Sequence, residues 1–371
     1  MFDLAEYMSE GIRNIMKKAY LNVLSNPREA MFMRRMQKSF AASERRRAQV
    51  LDRDGLEVPP FLIASIATGC NLQCKGCYAR KNGIAASAGE KQKRTLEPLQ
   101  WRSLFEEAAE MGVNFALLAG GEPLTRRDLL EQIAEVEGMI FPIFTNGTMM
   151  GETYVGFFKE HMNMVPVFSL EGDLEQTDER RGKGVYRLVE RGMNRLKEER
   201  LFYGASITVT AENYQSVTDE GYVRQLREKG CKLIFYVEYV PLEEGTVHLA
   251  LTEGQVAEME ERIAVLRESV DEMIIVSFPG DEKAMGGCLA AGRGFFHIGP
   301  DGAAEPCPFS PYSDCNVAEV GVRKALGSPL FQRIRDARML GWEHTGGCNA
   351  IGRRNGMLSS FNNAKKREEK A

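Results

Sequence analysis

From residue 60 onward the chain alternates short apolar runs with longer stretches of mixed character. The runs are "FLIASIA" from 61, "VNFALLA" from 113, "IFPIFT" from 140, "MVPVFSL" from 164, "GASITVT" from 204 and "KLIFYVEYV" from 232. They are rich in β-branched and aromatic residues and short enough to be buried strands. Between them, "EPLQWRSLFEEAAEMG", "RRDLLEQIAEVEG" and "VYRLVERGMNRLKEER" have helical spacing; in the first, Leu99, Leu104, Ala108 and Met111 fall on one side. Strand alternating with helix predicts parallel βα units, because parallel neighbours need a crossover of about a dozen residues. Six units make about three-quarters of an eight-unit barrel. The expected fold is therefore α/β, either an open (βα)6 barrel or a doubly wound sheet, with working residues at the carboxyl ends of the strands.

Residues 1–58 read differently. Leu4, Met8, Ile12, Ile15 and Met16 form an amphipathic stripe, and "REAMFMRRMQKSFAASERRRAQ" continues it as a basic, Met-rich helix. This helical extension leaves three roles open besides packing on the core: a lid, a membrane-surface contact or a partner-peptide site. Such an extension is expected to shape substrate access rather than build a cofactor site. The barrel is expected over 59–275, a cysteine-bearing region over 276–355, and a solvated tail over 356–371. The small, polar segment 80–94 is expected to be a loop beside the active site.

Composition narrows the function. The chain has 371 residues, 43% hydrophobic and 27% charged, enough for one large or two modest globular domains. A net charge of −4 gives no reason to expect nucleic acid as a partner. No apolar run reaches the roughly eighteen residues of a membrane span, and "MFDLAEYMSEGIRN" lacks a signal-peptide core, so the expected location is cytoplasmic. Eight cysteines in a long cytosolic chain point to metal or redox work more than to disulfides.

Three of these cysteines crowd into "GCNLQCKGCYAR", as Cys70, Cys74 and Cys77, directly after the first predicted strand. Structural zinc takes four ligands, usually as two paired knuckles, and no partner pair lies nearby. Iron–sulfur clusters are held by thiolates, and a cube of four irons (4Fe-4S) on three cysteines leaves one iron open. Gly69 and Gly76 suit a tight turn, while Lys75 and Arg80 offset negative charge.

Cys70-x3-Cys74-x2-Cys77 followed by Tyr78 resembles the signature of the radical S-adenosylmethionine (SAM) superfamily. The resemblance extends to "GGEPL" at 120–124, "TNGT" at 145–148, "FSLEG" at 168–172, "GASITVTAEN" and "FYVEYVPL", and so covers about 60–242 in the family's order. It implies an enzyme in which the open iron chelates SAM. An electron from a reductant such as flavodoxin or ferredoxin then cleaves the sulfonium, giving methionine and a 5′-deoxyadenosyl radical that abstracts hydrogen from carbon. By position, Gly120, Gly121, Glu122 and Pro123 would meet the methionyl end. Asn146, Ser169 and Glu171 would meet the ribose or nearby cofactor groups, and Tyr78 and Val237 the adenine. No catalytic acid or base is assigned.

Further on, Cys288, Gly302-x4-Cys307, Cys315 and Cys348 resemble the auxiliary-cluster region of the SPASM and twitch subgroup. Four thiolates would ligate one second, auxiliary cube. The chain lacks the dense run of cysteines that a full two-cluster SPASM domain carries. A zinc knuckle or unrelated thiols are the alternative here, and a cluster-stabilised binding module without catalysis is the alternative for the whole protein. The ordered strand-end motifs favour the enzyme. Members of this subgroup modify ribosomally made peptides, dehydrogenate alcohols or thiols, rearrange nucleotides, or act on tetrapyrroles and lipids; the Met-rich extension favours a peptide or apolar substrate over a nucleotide. Cys231 reads as a small buried hydrophobe. His161, His248, His297 and His344 lack ligand spacing.

Overall fold

The computed structural model describes residues 4–24, 26–86 and 94–336. Cys348, His344, the middle of the expected loop (87–93), residues 337–355 and the expected tail lie outside the described residues. Two helices, α1 (Leu4–Asn22) and α2 (Pro27–Asp54), precede the sheet. Then follow β1 (Phe61–Ala67), α3 (Tyr78–Lys81), α4 (Pro98–Met111), β2 (Phe115–Gly120), α5 (Arg127–Ala134), β3 (Phe141–Thr145), α6 (Glu152–Glu160) and β4 (Met164–Leu170). The chain continues through α7 (Leu174–Arg181), α8 (Val185–Glu198), β5 (Gly204–Val209), α9 (Tyr214–Val217), α10 (Glu220–Glu228), β6 (Leu233–Glu238), α11 (Glu253–Ser269) and β7 (Ile274–Phe278). Two short strands, β8 (His297–Ile298) and β9 (Ala304–Glu305), and two helices, α12 (Val317–Leu326) and α13 (Pro329–Asp336), end the described chain.

The sheet runs β7-β6-β5-β4-β3-β2-β1-β8-β9, with every pair parallel except β8–β9. Six expected strands are thus joined by a seventh parallel strand, and the expected boundary at residue 275 falls inside β7. Register divides the side chains into two sets. Leu62, Ala64, Ile66, Ala116, Leu118, Phe141 and Ile143 pack outward against Trp101, Leu104, Phe105 and Ala108 of α4 and their neighbours. Leu99 is the exception to the expected stripe on that helix: it is 65% exposed, because the buried face is centred on Trp101 and Phe105. The helix starts at a Glu97/Gln100 capping box and ends at Gly112, whose φ of +103° glycine adopts without strain.

The odd-numbered residues of β1 and their partners face inward, and α1 and α2 occupy the bottom of that space. Met16, Phe32, Met33, Met36 and Phe40 pack on Ile140, Val165, Leu233 and Ile274, which open β3, β4, β6 and β7. The apolar stripe is therefore spent on the amino-terminal ends of the strands, away from the cysteine loop, and this places the extension as a floor instead of a lid. Arg47 ties it down by donating to the Gly112 carbonyl at 2.6 Å and to Asn114 Oδ1 at 2.7 Å. Phe295, from the segment before β8, lies 5.3 Å from Phe61 and 5.5 Å from Phe278, and so spans the gap between β1 and β7. Among the described residues no helix is long and apolar enough to cross a membrane.

Candidate active site

The cysteine loop leaves the carboxyl end of β1 and is clamped on three sides. The Gly121 and Glu122 N–H groups donate to the carbonyls of Ala67 and Gly69 at 2.7 and 2.8 Å, the Lys75 N–H to the carbonyl of Arg180 at 2.9 Å, and Arg80 to the carbonyl of Leu72 at 2.6 Å. A Cβ at Gly121 would stand 2.1 Å from the Gly69 carbonyl oxygen, and one at Gly76 would stand 2.4 Å from Tyr239 Oη. Glycine lets the backbones meet at Gly121 and the Tyr239 side chain pack onto Gly76. Burial pushes the Cys70 thiol up, a hydrogen bond from the Leu72 N–H pulls it back, and Glu122, Cys74 and Cys77 push it up again. Three adjacent thiols ionise at low cost only with a cationic centre among them, which suits the donor set to a cluster. Among the described residues no three His, Cys, Asp or Glu side chains converge on one ion. Convergence is what tetrahedral zinc requires; in a cube the thiolates sit on different irons.

Glu122 is more enclosed than its motif suggests. Its Oε1 accepts from the Leu124 N–H at 3.0 Å and Thr145 Oγ1 at 2.7 Å, and its Oε2 from the Asn146 N–H at 2.8 Å. Burial raises this carboxyl and those three donors lower it. Both oxygens are engaged within the protein, so the side chain locks the end of β2 to the end of β3 and the backbone of Gly120–Gly121 is left to face the site. Pro123 opens the short turn that follows. Asn146 reaches the cysteine loop, donating to Asn71 Oδ1 at 2.8 Å with Cys70 Sγ at 4.0 Å.

Glu171, at the end of β4, is buried between two guanidiniums. Its Oε1 accepts from Arg180 at 2.5 Å and from Arg181 at 2.6 Å, while its Oε2 is buried with no hydrogen-bond partner. Arg180 also donates to Thr208 Oγ1 at 3.1 Å and lies 6.0 Å from the centre of the Tyr239 ring. Two guanidiniums against one carboxylate leave a net positive charge here, and Arg180 also interacts electrostatically with Cys74 and Cys77. Arg180, Arg181, Thr208 and Tyr239 are site residues that the motifs did not single out; the pair of arginines ending α7 was their one visible trace. Ser169 and Val237 are half-buried inward positions, opposite Ser206 and Thr208 respectively. Tyr78 packs 5.2 Å from Phe309, and burial beside Cys77 and Cys307 raises its phenol.

The later cysteines are less gathered. Cys288 and Cys307 share one apolar cluster with Ile63, Leu289 and Phe295, whereas Cys315 packs against the main core, its thiol pushed up to about 11 by burial with Asp314 adding to it. Cys231 is buried, its Sγ 3.3 Å from the Leu233 carbonyl. His297 lies buried between Ser65 Oγ at 2.8 Å and Glu305 Oε2 at 2.6 Å, joining β8 to β1 and β9.

Residues 64–220, which hold the cysteine loop and the ends of β1 to β5, match the model of the Radical SAM superfamily. The chain is 30% identical over 161 residues to Fe-coproporphyrin III synthase of Methanosarcina barkeri, covering 43% of this chain and 39% of that protein. It is 25% identical over 333 residues to PqqA peptide cyclase of Granulibacter bethesdensis, covering 79% and 83%. The first curated relatives are thus matched over about two-fifths of their own length or less. SuiB of Streptococcus suis, solved with its precursor peptide SuiA, superposes with a TM-score of 0.61 at 17% identity, covering 79% of this chain and 71% of that one. That likeness establishes the shared fold.

Proposed function

We propose that this protein is a radical SAM enzyme that cleaves SAM reductively and abstracts hydrogen from a carbon of a peptide or apolar small molecule. The carrying observation is the three-thiol loop pinned to the Gly120–Gly121 backbone at the carboxyl end of the parallel sheet. Cys70, Cys74 and Cys77 would hold the cluster. When bound, cluster and cofactor supply one-electron cleavage of a sulfonium and hydrogen abstraction. The chain's own residues position and insulate. Gly76, Gly120 and Gly121 keep the loops in contact, and Glu122 fixes the ends of β2 and β3. Arg180 and Arg181 balance the negative charge of the thiolates. The unpartnered Glu171 Oε2 is an acceptor suited to a ribose hydroxyl, with Ser169 and Asn146 beside it, and Tyr78 and Val237 offer apolar surface for an adenine.

Likeness to a peptide cyclase over most of both chains favours a peptide substrate; the likeness to Fe-coproporphyrin III synthase favours a tetrapyrrole as the second reading. We further read Cys288, Cys307, Cys315 and Cys348 as ligands of an auxiliary cube, and a cytoplasmic flavodoxin or ferredoxin as the reductant. Anaerobically reconstituted, reduced protein is expected to release 5′-deoxyadenosine from SAM, detected by chromatography, and Cys74→Ala to abolish that release. Protein that retains zinc, takes up no iron and releases none of the nucleoside would overturn the proposal in favour of a binding module.

A further inference from the structure

Across β1 to β7 the inner face of the barrel carries no charged side chain; on β8, also parallel, His297 aligns with the inward Ile63 and is held by Glu305. Register establishes this face strand by strand. Ile63 aligns with Leu117, Phe144 with Val167, Ser169 with Ser206, and Thr208 with Val237 and Phe278. Every residue of this set, from Phe61 on β1 to Phe278 on β7, is apolar, small or a hydroxyl. At its edges His297 and Glu305 pair with each other and with Ser65 on β8, β9 and β1, and Glu171 Oε1 pairs with two arginines at the rim.

Burial shows that part of this face is open. Along β2, β6 and β7 the outward positions Leu118, Ile234, Tyr236 and Ile275 are buried, whereas the inward positions Leu117, Phe235, Val237, Val276 and Phe278 are only half-buried. Phe144 and Phe235 meet at 5.3 Å across the interior and remain half-buried too. Below them the apolar side chains of α1 and α2 close the floor, and Phe295 closes the seam between β1 and β7. The Phe144–Phe235 contact fills the interior above that floor, so the open part is a basin that starts at these rings, has an apolar wall and rises to the cysteine loop and Glu171.

We infer that the part of the substrate entering this basin is an uncharged hydrocarbon group, an aliphatic or aromatic side chain or an alkyl chain, and that Phe144, Phe235 and Phe278 select for it. An ammonium or carboxylate placed there would lose its hydration with no countercharge at any inward position of β1 to β7, whereas each buried methylene gains about 0.8 kcal/mol. The inference deepens the proposed function by naming what faces the site, and it weighs against a group that carries its carboxylates into the basin.

The test uses an uncharged fluorescent probe, N-phenyl-1-naphthylamine, on full-length reconstituted protein with SAM present, followed by competition. N-acetyl-leucinamide, N-acetyl-phenylalaninamide and 1-octanol are expected to displace the probe at least tenfold more effectively than N-acetyl-lysinamide or the amide of N-acetyl-glutamate. Preference for the capped amino acids over octanol points to a peptide, and the reverse to a lipid. Phe235→Asp is expected to weaken probe binding at least tenfold and Phe235→Leu less than threefold, with SAM affinity unchanged. Phe144→Asn repeats the test at the opposite wall, and the wild-type competition needs no variant to fold. Equal displacement by charged and uncharged competitors, or probe binding that ignores Phe235→Asp in folded protein, overturns the inference. Selective displacement without any SAM cleavage supports it while counting against the proposed reaction.

Discussion

At the scale of single residues, the candidate site depends on backbones that touch. Gly121 brings its Cα against the Gly69 carbonyl, and the missing side chain is what lets the strand-two loop donate two N–H groups to the cysteine loop. Gly121→Ala would set a methyl group 2.1 Å from a carbonyl oxygen that belongs to the backbone and cannot rotate away. Relief by separating the loops costs about 1–3 kcal/mol. The expected outcome is a folded protein, by circular dichroism, that loses most of its iron uptake at the first site and its SAM cleavage. Wild-type iron content and cleavage in this variant would show that the contact is dispensable.

At the scale of elements, the α1–α2 hairpin carries a pH signature. Glu29, three residues beyond the α2 cap Asn26, is buried against the barrel floor; the Phe202 N–H donates to its Oε1 at 3.1 Å while Oε2 has no partner. Burial raises its carboxyl to about 7. The unfolded chain releases this proton near the ordinary glutamate value of about 4.3, so the folded state binds more protons between that value and 7, and stability falls as pH rises through this window. The loss levels off above 7 at roughly 3 kcal/mol. Glu29→Gln keeps the acceptor for Phe202 and removes the charge, so thermal melts should show it more stable than wild type at pH 8 and close to wild type at pH 5. A second expectation follows from the same packing. Deleting residues 1–58 strips the floor from Ile140, Val165, Leu233 and Ile274, and the truncated chain should aggregate or lose cooperative melting. Soluble truncated protein with an intact melting transition would place the hairpin outside the folding unit.

At the scale of the whole molecule, the region after β7 is coupled to the barrel at several places, among them Phe295 between β1 and β7, His297 on Ser65, Asn82 donating to the Pro308 carbonyl at 2.8 Å, and the Val322 and Arg323 N–H groups donating to Glu107. Cys307 reaches the neighbourhood of Tyr78 through the same contacts. If the four later cysteines hold a cube, the intact protein carries about eight irons and the Cys70→Ala, Cys74→Ala, Cys77→Ala variant about four, at four per cube. The remaining spectrum of that variant should not change on adding SAM, because a fully ligated cube offers no open iron. Iron and optical or electron paramagnetic spectra measure both, and a folded variant without iron would refute the auxiliary cluster.

The sequence by itself determined what depends on neighbours along the chain. Continuous apolar runs located six strands within a residue or two, because a strand buried on both faces must be apolar throughout. The cysteine spacing and the glycines of GGEP were legible because thiolate ligation and close backbone approach each restrict residue type locally. Tertiary structure alone decided whatever depends on pairing between distant segments. Leu99 lies on a plausible helical stripe and is nevertheless exposed, since a wheel shows spacing and not where the sheet stands. The extension's stripe is equally compatible with a lid, a membrane surface or a floor, and only its contacts with the strand starts choose the floor. β7 escaped notice because "IIVSF" is a short run behind a long helix, and it became a strand by pairing with β6. Arg180 and Arg181 look like a solvated helix end until the fold buries Glu171 between them. An inward face without charge is likewise invisible along the chain, because which alternate residues face inward is set by the register of all seven strands together.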